Sequence, residues 1–100
     1  MSKLRKSARG RECQIRIPGV CNGNPETVVL CHLPGGGMGR KHADFLAAFG
    51  CSACHDAVDG RRKVVLGLRP WTPEERMVCF YEGVIRTQQI WLDEGLIKIN

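Results

Sequence analysis

Cys51-Ser52-Ala53-Cys54-His55 sets two cysteines two residues apart. That spacing lets both thiolates face one tetrahedral ion from a knuckle or a first helical turn. A closed site needs two more ligands. Cys13 and Cys21 are the candidates, with seven residues and a Pro18-Gly19 turn signal between them. The gap is wider than usual, but a reversing segment there would bring both sulfurs together. Four thiolates would form a structural zinc site, with free energy on the order of 10 kcal/mol available for folding.

The need for such a staple follows from size. One hundred residues make one domain, 1–100, and a domain this short buries only part of its surface. Met1 to Arg11 is rich in Lys and Arg, with no apolar segment of the kind that marks a secretory signal. No stretch approaches the roughly 20 apolar residues of a membrane span. The expected setting is therefore cytoplasmic, where paired cysteines point to metal rather than disulfides. Cys51 to His55 also spells a c-type haem attachment signature, but attachment requires export, so no haem is expected. A redox dithiol would sit at a strand-to-helix junction of an α/β fold, which this pattern lacks. Cys31 and Cys79 read as small apolar core residues.

Reading outward, Gln14-Ile15-Arg16-Ile17 alternates as a half-buried strand would, and Thr27 to His32 is a β-branched, apolar strand candidate. Leu33 to Lys41, with Pro34 and four glycines, is a loop. Ala43 to Phe49 can form a short helix ending at Gly50, and Ser52 can cap a second helix through Val58, with Gly60 as its stop. Lys63 to Leu68 suits a short strand broken by Pro70. Residues 72–95 give the clearest helix: Thr72 as N-cap, Pro73 at the first position and Glu75 closing a capping box. Met77, Phe80, Tyr81, Val84, Ile85, Gln88, Trp91 and Leu92 follow its three-four spacing, and Gly83 inside it signals close packing. The class is α+β. The long helix can cover its own core or pair with a second copy, so a homodimer stays open.

Fifteen Lys and Arg stand against ten Asp and Glu, a net charge of +5. The excess is clustered: Lys3, Arg5, Lys6, Arg9 and Arg11 in an N-terminal arm (1–11), then Arg40 and Lys41, then Arg61, Arg62 and Lys63. Such patches attract phosphate backbones, and three of them around a cysteine site favour DNA as the partner over a membrane surface.

The histidines complete a pattern. Cys13 and Cys21, then His32, then Pro34 with Gly35 to Gly37, then Cys51, Cys54 and His55 resemble the HNH, or His-Me finger, endonucleases over residues 12–60. More closely, Ala8 to Cys13, Ile17 to Thr27, Cys51 to Asp56, Arg86 to Gln88 and Ile90 to Leu92 resemble the YbcO-type nucleases of lambdoid phages and prophages. The resemblance implies a small zinc-stapled ββα-metal core, treble-clef-like, followed by the long C-terminal helix. It implies a metal-dependent DNA endonuclease in the cytoplasm of a bacterial host, with His32 as the general base and His55 holding a catalytic divalent ion, magnesium first, manganese, nickel or zinc otherwise. An imidazole with a pKa of about 6.5 can accept a proton at neutral pH.

Two positions depart from the family. Cys31 stands where an acidic metal ligand precedes the histidine, and thiolate is a poor magnesium ligand. Leu46 stands at the asparagine position, with Asp44 the nearest replacement, which would put Asp44 and His55 on the catalytic ion. These departures keep open a non-catalytic, zinc-stabilised DNA-binding or adaptor module.

Overall fold

The computed structural model describes residues 3–33 and 43–98. Arg40, Lys41, His42 and the glycine-rich loop before them lie outside the described residues. The elements are α1 (Lys3–Ser7), a 3₁₀ turn (Pro25–Thr27), β1 (Val29–His32), β2 (Ala47–Gly50), α2 (Ser52–Val58), β3 (Val65–Leu66), β4 (Arg69–Pro70) and α3 (Pro73–Asp93). The described part is a small α+β unit of two antiparallel ribbons, β1–β2 and β3–β4. In the first, Val29 pairs with Gly50 and His32 with Ala47. α2 follows β2 directly, giving a strand-strand-helix order.

The core lies between β2, α3 and the irregular segment around Ile15 and Ile17. Ile15, Ile17, Phe49, Val64, Phe80 and Trp91 are all buried. Phe49 and Trp91 meet edge to face, with ring centroids 5.6 Å apart at 86°. The outer edge of β2 is closed without a third strand. Gln14 N–H donates to Phe49 O at 2.7 Å, and Phe49 N–H donates to Thr87 Oγ1 at 3.0 Å. Backbone groups that would otherwise be buried unpaired are thereby satisfied. α3 comes this close because Gly83 has no side chain: a Cβ there would stand 3.0 Å from Ile15 Cα and 3.1 Å from Gln14 O. The close packing signalled by Gly83 is borne out.

Several local expectations change in the tertiary setting. Residues 14–17 form no strand. Ile15 and Ile17 are buried as the alternation implies, but Arg16 takes φ +56° and the chain bends so that Cys13 can turn back towards Cys54. Ala43 to Phe49 is not a helix. Its second half is β2, because β1 needs a partner for its backbone and a helix so short contributes little on its own. All four residues of β2 are buried, which small Ala47, Ala48 and Gly50 allow beneath α3. The N-cap of α2 is Cys51 rather than Ser52: its Sγ accepts the Cys54 N–H at 3.4 Å. Pro70 sits inside β4, opposite Val65, and Gly67 at φ +81° makes the turn.

α3 begins as read, with Thr72 and Glu75 forming a reciprocal capping box. Its buried line is Phe80, Gly83, Thr87 and Trp91, whereas Tyr81 and Ile85 face outward. The N-terminal arm is docked rather than free. Ala8 is buried, the Trp91 indole donates to Ser7 Oγ at 2.8 Å, and Arg11 grips Glu94 through two bonds of 2.6 Å.

Thr87 tests this packing. Thr87→Val keeps the shape but leaves the buried Phe49 N–H without its acceptor, and should destabilise the protein by about 1–3 kcal/mol in urea denaturation. Thr87→Ser, which keeps the hydroxyl, should recover most of that loss.

Candidate metal centre and histidine pairs

Cys13, Cys21, Cys51 and Cys54 converge, with their four sulfurs within 4.8 Å of one another. Cys21 and Cys51 are 3.9 Å apart. A tetrahedral zinc with bonds of about 2.3 Å separates its sulfurs by about 3.8 Å. A disulfide would need about 2.05 Å. The donor set therefore fits a structural zinc ion. Among the described residues it is also the one group of three or more Cys, His, Asp or Glu placed to share an ion.

Local backbone geometry builds the site. Val20 and Cys21 N–H both donate to Ile17 O, folding residues 17–21 into a tight knuckle that returns Cys21. Cys51 and Cys54 lie on the first turn of α2. Backbone N–H groups of Ile15, Arg16 and Cys51 point at the Cys13 sulfur, and that of Ile17 at the Cys54 sulfur, an arrangement suited to thiolates. The Cys54 thiol, donating to Cys13, holds the Cys13 pKa down at about 4. Burial and the crowding of neighbouring sulfurs push Cys21 up to about 11. A cation at the centre relieves that crowding. Cys31 is fully buried against Ile15 and Gly50, and burial drives its thiol upward. It is a core residue, as read. Cys79 is half-buried, and burial raises its thiol as well.

His32 and His55 each meet a carboxylate. His32, at the end of β1, lies with Nε2 2.6 Å from Asp44 Oδ1. His55, in α2, lies with Nε2 3.2 Å from Asp59 Oδ2, one helical turn on. Asp44 thus sits on His32, with Arg5 3.4 Å away, rather than beside His55. Asp59 is one of the acidic residues near His55 in sequence, at an i, i+4 spacing legible there. Its charge also reaches Cys31, the neighbour of His32, and helps to raise that thiol.

His32 opens onto a cleft of about 270 Å³ whose walls include Arg5, Arg9 and Leu30. The remaining basic residues divide. Lys3, Lys6, Arg62 and Lys63 lie on α1 or beyond α2. Arg61 is tied to Asp56 and Asp59 at 3.0 and 3.1 Å. Arg11 is committed to Glu94 and to the face of Phe49, 5.6 Å from its centroid. Arg40 and Lys41 fall outside the described residues. No helix among the described residues is long and apolar enough to cross a membrane.

Residues 2–96 match the model of a family described as "Putative nuclease YbcO". The chain is 52% identical to "Putative nuclease YbcO" of Escherichia coli (strain K12), over 98% of this chain and 99% of that one. It matches "Putative nuclease ybcO" of Enterobacteria phage 82 at the same identity and coverage. A solved structure, "Structure of a putative bacteriophage protein from Escherichia coli str. K-12 substr. MG1655", is 50% identical. It superposes with a TM-score of 0.76 over 93% of this chain and 100% of that one.

Purified protein should carry about one zinc ion per chain by elemental analysis. Cys54→Ser should lose both the ion and the cooperative unfolding transition, because the remaining sulfurs leave the knuckle unanchored. Cys79→Ser, outside the cluster, should keep both.

Proposed function

The chain belongs to the family described as "Putative nuclease YbcO", and on that premise we propose that it is a metal-dependent DNA endonuclease of HNH type. The observation that carries this reading is the His32–Asp44 pair, 2.6 Å apart, at a cleft walled by Arg5 and Arg9. It combines a base, a group to orient it, and positive charge for a phosphate. The β1–β2–α2 order beside a four-sulfur centre supports the same reading, since it is the arrangement the HNH resemblance leads one to expect.

The chemistry follows from the residues. The Asp44 carboxylate accepts the Nε2–H of His32, which leaves the Nδ1 lone pair to take a proton from water. The resulting hydroxide attacks phosphorus, and the phosphodiester bond to the leaving oxygen breaks. Arg5 and Arg9 draw the phosphate backbone to the base. His55 and Asp59 offer an imidazole nitrogen and a carboxylate oxygen on one face of α2, a set that accepts a divalent ion completed by water and phosphate oxygens. Such an ion, when bound, stabilises charge on the phosphate and on the leaving oxygen.

This assignment differs from the one expected from resemblance alone. Asp44 becomes a positioning residue for His32, and Asp59 takes the place beside His55. Cys31, buried in the core, contributes no ligand. Magnesium is the first candidate ion, with manganese, nickel and zinc as alternatives. The proposed substrate is phage DNA in the cytoplasm of a bacterial host, as branched or single-stranded intermediates; the phage 82 relative, described as a nuclease, is in keeping with a phage setting.

Burial of Cys31 at the usual acid position favours one other reading, a zinc-stabilised DNA-binding module without chemistry. A plasmid-nicking assay with each of these ions separates the two. In the nuclease reading, His32→Ala lowers the nicking rate about 100- to 10,000-fold with zinc content and unfolding midpoint unchanged. Asp44→Asn lowers it about 10- to 100-fold. If the zinc-loaded wild type leaves supercoiled, linear, branched and single-stranded DNA intact with every ion, the nuclease reading fails.

A further inference from the structure

A second concavity adjoins the His32–Asp44 pair. It is an open groove of about 740 Å³ between α1, the turn before β2 and the outer side of α3. Leu4, Phe45, Ile85 and Leu92 give it an apolar floor, and Gln88 and Lys98 lie along its rim. Its volume is in the range of small-molecule sites, about 300–1,000 Å³. Phe45 is half exposed, and Gln88 Nε2 donates to its carbonyl oxygen at 2.7 Å, fixing the backbone from which the ring projects.

Two features identify what fits there. The first is continuity. Asp44 lines this groove and holds His32, and His32 lines the arginine cleft, so the two concavities meet at that pair. A polymer with its phosphate beside Arg5 and Arg9 has this groove as the adjoining apolar surface. The second is charge. Arg5 and Arg9 line the adjoining cleft and Lys98 lines this groove, so basic groups lie beside an apolar floor, a combination that matches an anionic backbone bearing flat, stackable bases. A base paired within a duplex is stacked on both faces and cannot enter such a groove. An unpaired base can, and stacking on an aromatic ring is tolerant of sequence.

We propose that this groove binds an unpaired nucleobase of single-stranded DNA, with Phe45 as the stacking platform beside the His32–Asp44 pair. The proposal rests on the nuclease reading only in taking DNA as the polymer. It narrows the substrate to strands that are single or locally unpaired at the position being cut.

Binding without cleavage tests it. Zinc-loaded protein, with no other divalent ion added, is titrated into labelled single-stranded DNA, an abasic strand of equal length and charge, and the matching duplex, and followed by fluorescence anisotropy. The base-bearing strand should bind about tenfold more tightly than the abasic one, the size of one stacked base. Phe45→Ala should remove that gap, Phe45→Trp should keep it, and duplex binding should be the same in all three proteins. Equal affinity for base-bearing and abasic strands overturns the proposal, as does a gap that survives Phe45→Ala. A groove that instead seats a second copy would show as a dimer in sedimentation, dissociated by Ile85→Asp with the gap unchanged, and that result also overturns it. Unfolding midpoints of both Phe45 variants show whether they are folded, and Phe45→Trp keeps the test decisive if Phe45→Ala is not. Nicking that persists without a gap removes the groove alone. A gap without any nicking removes the nuclease reading alone.

Discussion

Four sulfur atoms drawn to one point hold the rest of the molecule in register. Cys13 and Cys21 come from a stretch with no strand ladder and no helix, and Cys51 and Cys54 come from the corner where β2 becomes α2. Joining them sets an irregular segment against the only sizeable ribbon. Ile15 is then wedged under Gly50 and against Gly83, so close that neither position has room for a methyl group. A segment without a ladder or helix of its own contributes few backbone hydrogen bonds to hold itself in place. An ion held by these four sulfurs would add to what the core supplies.

The same constraint reaches the histidines. Cys51 caps α2 through its sulfur, which starts the helix at a defined residue and sends His55 and Asp59 out along one face. β1 is held by β2, and β2 by α3 through Phe49, Thr87 and Trp91, so the ribbon that carries His32 is backed by buried packing. Imidazoles on a strand and a helix are positioned more firmly than any loop would position them. Asp44 is different: it sits on the turn before β2 and reaches His32 across twelve residues of sequence.

Positive charge is less freely available than its clustering suggests. Arg11 closes on Glu94 and tethers the N-terminal arm to the end of α3, and Arg61 is shared between Asp56 and Asp59. Arg5 and Arg9 are the members of the first cluster that line the cleft beside His32. The arm works first as structure, through Ala8, Ser7 and Arg11, and presents its charge from that docked position.

Features governed by short-range chemistry could be read from the chain. The capping box at Thr72 and Glu75, the paired spacing of Cys51 and Cys54, the burial of Cys31 and the close approach at Gly83 each follow from one residue type and its near neighbours. What depends on distant partners could not be read. Ala47 to Gly50 is a strand only because β1 and α3 lie on either side of it, and Gln14 to Ile17 loses its strand form as Cys13 turns towards the other three sulfurs. The pairing of Asp44 with His32 rather than with His55 depends on the path from β1 to β2. Sequence alone determined the Cys51/Cys54 pair and the cap, since these are properties of side chains a few residues apart. Tertiary structure decided which carboxylate serves which histidine, because that choice belongs to the packing of elements far apart in the chain.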